Sequence, residues 1–119
     1  MLQAVDRPKL TDSYYQALSS RDLGGLADLY ADDAEVIRYD GSAKGHDQIR
    51  KFFDSWINRW GHFSLKTIDN MRLVDDLALW DATVDTQLGV LLTYDVVILR
   101  ADGRIHRHVP SVRGFWGGP

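Results

Sequence analysis

Apolar residues recur every three or four positions through the first half of the chain, which is the period of an amphipathic helix. A first helix is predicted over about residues 9–19, with Pro8 suited to its first turn. Asp22 can cap a second, short helix, because its carboxylate can accept from the free amides of the first turn. A third helix is predicted over about residues 46–60, and Gly61 supplies its stop signal.

After residue 61 the period changes to two, which is typical of strands. The predicted strands cover residues 63–68, 71–74, 77–88, 90–100 and 105–116. Breaks or turns are expected at residues 69–70, 75–76 and 101–104. One short strand, residues 36–40, comes earlier and is followed by a loop at residues 41–45. Helices followed by a meander of strands predict an α+β fold, in which the helices cover one face of a curved antiparallel sheet.

Three segments carry a family resemblance. One reads YYQALSSRD from residue 14 and continues as LYADDAEV from residue 29; the others read GHDQIRKFF from residue 45 and GFWG from residue 114. They resemble the opening, the third helix and the closing strand of the nuclear-transport-factor-two-like superfamily. Its members include ketosteroid isomerases, SnoaL-type polyketide cyclases, scytalone dehydratase, limonene-epoxide hydrolase and non-catalytic proteins.

The resemblance extends over nearly the whole chain and implies a single SnoaL-like domain over residues 1–119. It implies a cone-shaped, curved antiparallel sheet with three N-terminal helices that enclose a pocket, the cystatin-like or SnoaL-like architecture. In this superfamily the function lies in the pocket. The shared motifs therefore specify the fold well and the reaction poorly.

Composition narrows the function further. The net charge of −3 argues against a nucleic-acid-binding face, and no apolar run reaches the roughly 18 residues that span a bilayer. The chain has no cysteine, which excludes disulfides, thiolate metal ligands and a cysteine nucleophile. Residues 1–10 lack the charged-then-apolar order of a signal peptide. We therefore expect a cytoplasmic protein without nucleic-acid or membrane partners.

The strand over residues 77–88 has two alternating sets of side chains, one with Trp80 and one with Asp81 and Asp85. Apolarity alone turns the Trp80 set inward and leaves the carboxylates in water. The resemblance implies the reverse, because the pocket-lining positions of ketosteroid isomerases, counted back from Gly89, fall on Asp81 and Asp85. It also implies a homodimer through the outer face of the sheet, with Trp80 in the interface.

Asp95 is the sharpest anomaly, because it is a lone carboxylate in a strand that is apolar on both faces. Burying it without a partner costs several kcal/mol or raises its pKa until the group is neutral. A position at a sheet edge, bonded to a neighbouring side chain, is the alternative. His108 is the expected acid–base partner, because imidazole titrates near neutrality. His106 should share the face of His108. This pair and an aspartate could together bind a metal, but the spacing is too common to be specific, and we predict no metal.

The resemblance to ketosteroid isomerase also assigns individual positions. Tyr14 falls on the tyrosine that stabilises the oxyanion in that enzyme, whose other parts are an aspartate base and a protonated aspartic acid. The base position is Arg38 here and the aspartic acid position is Val97, so those two roles need Asp40 and Asp95 as stand-ins. An arginine near aspartates also resembles the Asp-Arg-Asp arrangement of limonene-epoxide hydrolase, which stays an alternative.

We therefore predict a cofactor-independent acid–base enzyme that isomerises, cyclises or dehydrates a small apolar carbonyl compound of the polyketide or steroid-like type. The predicted catalytic residues are Asp95, His108, Tyr14 and Asp81. The predicted substrate-binding residues are Tyr30, Arg38, Asp40, Phe53, Trp56, Asp85, Val97 and Trp116. A non-catalytic ligand-binding or dimerisation domain is the alternative: an inward Asp95–His108 or Asp81–His108 contact favours the enzyme, whereas a pocket filled by side chains favours a structural module.

Overall fold

The computed structural model describes residues 6–117. The helices are α1 (Asp6–Ser20), α2 (Leu23–Ala27) and α3 (Gly45–Trp60). The strands are β1 (Tyr30–Arg38), β2 (Gly41–Lys44), β3 (Phe63–Val74), β4 (Leu77–Thr86), β5 (Gly89–Leu99) and β6 (Ile105–Gly117). They form one sheet in the order β2-β1-β6-β5-β4-β3.

The helix ends and one hairpin form where the sequence predicts them. The Asp22 carboxylate accepts a hydrogen bond from the Gly25 N–H at 2.9 Å and so caps α2. Gly61 ends α3 with a φ of 86°, and its N–H donates to the Ile57 carbonyl at 2.8 Å. Gly103 has a φ of 89° in the turn between β5 and β6. Both glycines occupy the left-handed region, which side chains with a Cβ rarely adopt.

The sheet confirms the α+β class and the cystatin-like architecture. Neighbouring strands are antiparallel except β1 and β6, which run parallel. The parallel pair arises because β1 continues into β2 and α3, so the chain returns to β1 only with its last strand. Apart from this pair, the predicted meander of β3, β4, β5 and β6 is confirmed.

Three strand predictions are wrong in detail. β1 begins at Tyr30 instead of residue 36, and the predicted loop at residues 41–45 is largely β2, which pairs with the end of β1. β3 runs without interruption, and the predicted break is a bulge at Asp69. Short polar segments read as loops in the sequence, but pairing with a neighbouring strand satisfies their backbone groups.

The register between β4 and β5 decides which side chains face the helices. Gln87 and Leu88 form the turn, so Trp80 lies directly opposite Asp95. Directly opposed residues point to the same face of a sheet, and Trp80 and Asp95 are both buried. The predicted inward placement of Asp81 is therefore wrong, and so is the outward placement of Trp80. Asp85 shares the outer face with Asp81.

Two bulges in β6 shift its faces. Leu99 pairs with Ile105 and Ile98 with Arg107, so His106 is an extra residue and does not alternate regularly with His108. A second bulge, at Arg113, reverses the alternation once more. Trp116 is 65% exposed as a result, and its predicted place in the pocket is wrong.

No helix within residues 6–117 is long and apolar enough to cross a membrane. Half of the segment used for the signal-peptide prediction, residues 1–5, lies outside the described residues.

Candidate active site

Three buried side chains form a hydrogen-bonded chain across the centre of the fold. The Nε2 atom of His108 lies 2.7 Å from Asp95 Oδ2, and its Nδ1 atom lies 2.7 Å from the Tyr30 hydroxyl. Tyr30 and His108 have no exposed surface, and Asp95 is 3% exposed. β1, β6 and β5 each supply one member, because they are neighbours in the sheet.

One arrangement of protons satisfies the hydrogen-bonding groups of all three side chains. A neutral imidazole carries a single ring proton, and a carboxylate can only accept. We therefore assign that proton to Nε2 of His108, which donates to Asp95. Nδ1 is then an acceptor for the Tyr30 hydroxyl. In this arrangement Asp95 is the end of the chain and keeps its second oxygen free of His108.

Asp95 and Tyr14 line a small internal cavity of about 10 Å³. The other lining residues are Tyr15, Leu18, Trp56, Phe63, Val84, Thr93, Pro110 and Ser111. A space of this size holds about one water molecule. The interior of the cone is thus filled largely by rings: Tyr14 packs edge-on against Phe53, Trp80 and His108, with ring centroids 5.6–6.2 Å apart.

The buried tyrosines keep their protons. Burial raises the pKa of Tyr14 and of Tyr30 well above 10, and the negative charge of Asp95 raises both further. Burial, with the same carboxylate, also raises the pKa of Tyr15. The Tyr15 hydroxyl accepts from the Trp80 indole N–H at 2.9 Å. At neutral pH the Tyr14 hydroxyl is therefore a hydrogen-bond donor at the wall of the cavity.

Thr93 is a polar group of the site that the sequence did not single out. Its Oγ1 atom is buried and meets no partner at good hydrogen-bond geometry among the described residues, although its interaction with the Tyr15 hydroxyl partly offsets the rise in the pKa of Tyr15. Its position two residues before Asp95 puts both side chains on the inner face of β5. The period-two alternation of a strand therefore predicts that Thr93 points inward whenever Asp95 does.

A much larger groove lies outside this cavity, between the β1–β2 hairpin and α3. Its volume is about 530 Å³. Trp56 lines both the groove and the inner cavity. Its ring is stacked on Phe63 with centroids 6.0 Å apart, and the Arg38 guanidinium lies 5.2 Å from its centre. The Trp56 side chain is thus part of the wall between the two spaces.

The remaining predicted residues divide between core and groove. Phe53 and Val97 are buried and unexposed. Arg38 and Asp40 line the groove, where Arg38 Nε lies 3.7 Å from Asp40 Oδ1. Arg38 forms no ion pair with Asp95 among residues 6–117, so the Asp-Arg-Asp arrangement of the epoxide hydrolases is not assembled from these side chains.

The predicted residues Asp81 and Asp85 lie on the opposite face of the sheet. Asp81 accepts from Asn70 Nδ2 at 3.1 Å and lies 3.9 Å from Arg113 Nε. Asp85 lies 3.7 Å from Lys66 Nζ. They therefore form no contact with His108. The described residues also hold no cluster of three or more His, Asp or Glu suited to a metal.

The sequence comparison identifies one family. The model of the SnoaL-like domain matches residues 11–108, which confirms the resemblance stated above. No curated protein matches the chain in sequence.

Solved structures with the same fold are numerous. The chain is similar to a protein from Sinorhizobium meliloti provisionally described as a polyketide cyclase, with 21% identity, a TM-score of 0.75, and 92% of this chain and 100% of that chain covered. It is also similar to a SnoaL-like protein provisionally described as an isomerase from Agrobacterium tumefaciens, with 16% identity, a TM-score of 0.73, and 92% and 99% covered. A SnoaL-like protein of unknown function from Burkholderia thailandensis gives 15% identity, a TM-score of 0.77, and 96% and 100% covered. At these identities the likeness establishes the fold.

Proposed function

The chain belongs to the SnoaL-like domain family, and from that premise we propose that it is a cofactor-independent acid–base enzyme. Its substrate is a small carbonyl compound of the polyketide or steroid-like type, and its reaction is an isomerisation, an aldol cyclisation or a dehydration. The observation that carries the proposal is the placement of Asp95: a buried carboxylate at the wall of a small cavity, bonded on one side to a buried histidine.

Asp95 is the proton acceptor in this mechanism. Its carboxylate removes a proton from the carbon next to the carbonyl, and the electron pair of the broken C–H bond moves onto the carbonyl oxygen. In an isomerisation the protonated Asp95 returns the proton to another carbon. In an aldol cyclisation the enolate carbon attacks a second carbonyl group, whose oxygen takes the proton.

Tyr14 stabilises the enolate. It lines the same cavity as Asp95, and its raised pKa keeps the hydroxyl protonated, so it can donate to the developing oxyanion. His108 and Tyr30 have no exposed surface, so they act on Asp95 and not on the substrate. They are positioning residues, because the hydrogen bond from His108 fixes the orientation of the carboxylate.

The substrate needs more room than the inner cavity offers. Trp56 separates that cavity from the 530 Å³ groove, and ligand pockets usually measure about 300–1,000 Å³. In our proposal the substrate occupies the groove, and a rotation of the Trp56 ring brings the reacting carbon to Asp95.

Exchange of carbon-bound protons with solvent tests the reaction without the natural substrate. Acetophenone and 2-acetylnaphthalene, each dissolved in D₂O with the protein, should lose their methyl proton NMR signals faster than in buffer. Asp95→Asn keeps the shape and an acceptor for His108 but removes the base. We expect it to lower the protein-dependent rate by about 10²-fold or more.

Asp81→Asn is the matched control, because it makes the same chemical change on the outer face of the neighbouring strand. It should leave the rate within about twofold, within the ±0.5 kcal/mol usual for surface changes. Equal rates for Asp95→Asn and the unsubstituted protein, with both folded by circular dichroism, would contradict the role of Asp95.

A ligand-binding or structural module without turnover is the second candidate. The observation that favours it is the 10 Å³ inner cavity, which side chains nearly fill. Trp56→Ala separates the two candidates. If the protein is an enzyme, opening the wall should speed the exchange of the methyl protons of 2-acetylnaphthalene, the bulkier ketone. If it is a structural module, the exchange rate should stay at that of buffer.

We also propose that the protein is a homodimer through the outer face of the sheet. The exposed apolar side chains of that face include Tyr94, Ile98 and Val109, while Trp80 is buried and takes no part. Sedimentation at micromolar concentration should give a dimer, and Tyr94→Arg should give a monomer. A monomer without any substitution would remove this proposal.

A further inference from the structure

The groove between the β1–β2 hairpin and α3 carries an excess of positive charge. Its cationic lining residues are Arg38, Lys51 and Arg59, and its one carboxylate is Asp40. The chain as a whole has a net charge of −3. Lys51 and Arg59 lie eight positions apart on α3, with Ser55 between them, so they follow one stripe of the helix. The groove lining is therefore locally cationic, with three cations against one carboxylate, although the chain as a whole is acidic.

These cations have unusually few partners. The Arg38 guanidinium makes no hydrogen bond within residues 6–117, and its Nη1 atom is buried without an acceptor. Its one ion pair, with Asp40, has a separation of 3.7 Å, which is longer than a hydrogen bond. Lys51 and Arg59 form no ion pair in the described part of the chain. By contrast, Arg100, which follows β5, bonds Asp33 at 2.5 Å.

The orientation of Arg38 is fixed even though its donors are unpaired. Its guanidinium carbon lies 5.2 Å from the centre of the Trp56 ring and 5.9 Å from that of Tyr39. The Arg38 side chain is only 19% exposed. A guanidinium held by stacking presents its planar fork of N–H groups in a set direction, which matches the two oxygens of a carboxylate.

The same groove has an aromatic side. Phe52 and Trp56 both line it and are half-buried, with ring centroids 5.0 Å apart. Unpaired cations beside aromatic rings fit a ligand that is flat at one end and anionic at the other. An apolar neutral ligand would leave Lys51, Arg59 and the Arg38 N–H groups without an acceptor and partly desolvated, which is unfavourable.

We propose that the groove binds an aromatic or conjugated carbonyl compound that carries a carboxylate, with Arg38 as the carboxylate-binding residue. Lys51 and Arg59 supply additional attraction from α3. As the substrate class of the reaction at Asp95, this inference rests on the proposed function. Trp56 then contacts the ring of the ligand, and the end away from the carboxylate lies nearest to the inner cavity.

Calorimetry with two probes of the same shape tests the site. 4-Acetylbenzoate carries a ketone and a carboxylate, and 4-acetylbenzamide replaces the carboxylate with a neutral amide. The unsubstituted protein should bind the acid at least about tenfold more tightly than the amide, because charge-assisted bidentate hydrogen bonds are the strong ones. Raising the salt concentration should weaken only the binding of the acid.

Arg38→Gln should abolish the preference for the acid and leave the binding of the amide unchanged. Arg50→Gln is the matched control on α3, since Arg50 pairs with Asp47 and does not line the groove; it should keep the preference. Equal binding of acid and amide by the unsubstituted protein would overturn the inference. So would an equal loss in both variants, provided that circular dichroism shows both to be folded.

Proton exchange of the same probes keeps this inference distinct from the proposed function. Arg38-dependent binding of 4-acetylbenzoate without exchange at its methyl group leaves the binding site intact and contradicts the enzyme. Exchange that depends on Asp95 but is equal for acid and amide, with no difference in their binding, leaves the enzyme intact and contradicts the carboxylate site.

Discussion

The two faces of the sheet treat the same residue type in opposite ways. Asp81 and Asp95 lie on adjacent strands, almost opposite each other in the register. The Asp81 side chain is 21% exposed, close to Asn70 and Arg113. The Asp95 side chain is 4% exposed, and its hydrogen-bond partner is the imidazole of His108 instead of an arginine or lysine.

This difference is the reason for proposing Asp95, and not an outer carboxylate, as the base. On the outer face, hydrogen bonds from Thr67 and Thr83, with the charge of Arg113, lower the pKa of Asp69 against the opposing effect of desolvation. Such a carboxylate is stabilised as the anion and is a weak base. Asp95 has no such set of donors and lies beside a cavity, where the low dielectric strengthens each interaction. The same sheet therefore holds solvated, hydrogen-bonded carboxylates outside and one buried carboxylate inside, which is the one we propose as the base.

A pair of tryptophans gives the largest expected contrast. Trp80 is 1% exposed on the inner face, whereas Trp116 is 65% exposed. Trp80→Ala leaves a cavity and an unpaired Tyr15 hydroxyl, so we expect it to lower the free energy of unfolding by about 3–5 kcal/mol. Trp116→Ala should change it by less than about 0.5 kcal/mol. Urea unfolding measures both, and similar losses would show that Trp80 is not in the core.

A pair of tyrosines tests the catalytic part of the comparison. Tyr14→Phe removes the proposed donor to the oxyanion and should slow proton exchange by about 10²–10³-fold. Tyr94→Phe makes the same change on the outer face and should leave the exchange rate unaltered. The opposite ranking of these two variants would place the reaction elsewhere on the protein.

Alkaline pH should weaken the inner face selectively. The pKa values of Tyr14 and Tyr30 are raised in the folded state above 10.0, so the folded protein holds protons that the unfolded chain loses. Their contribution to stability is complete below about pH 10, the unfolded value. It declines as the pH rises from there towards the folded pKa values.

Urea unfolding between pH 8 and pH 11 measures this decline. Tyr30→Phe should flatten the decrease, because one of the three buried tyrosines with a raised pKa no longer titrates. A decrease as steep as in the unsubstituted protein would show that Tyr30 does not contribute to it.

The outer carboxylates give the smallest expected effect. Asp81→Asn weakens a partly solvated pair with Arg113, so the loss of stability should be at most about 1 kcal/mol. Because the pair is accessible to ions, this loss should shrink further in 1 M NaCl. A loss that is larger, and independent of salt, would show that the pair of Asp81 with Arg113 is not accessible to solvent.

The sequence by itself determined the local features. Asp22 caps the start of α2 with its side chain, and Gly61 stops α3 with its backbone conformation. Both effects depend only on neighbours within a few residues. The period of the apolar residues gave the fold class, since it decides which elements can bury a face. Asp95 was identified for the same reason: a carboxylate amid apolar alternation is improbable unless it has a partner.

Only the tertiary structure decided the faces and the volumes. The pairing of Trp80 with Asp95, and the bulges at His106 and Arg113, depend on contacts between distant strands, and each one-residue shift reverses the face of the side chains beyond it. The groove cations on α3 and β1 come together only when these elements pack. A cavity is what remains when large side-chain volumes fail to fill the space between elements, so no local pattern could show that Trp56 separates 530 Å³ from 10 Å³.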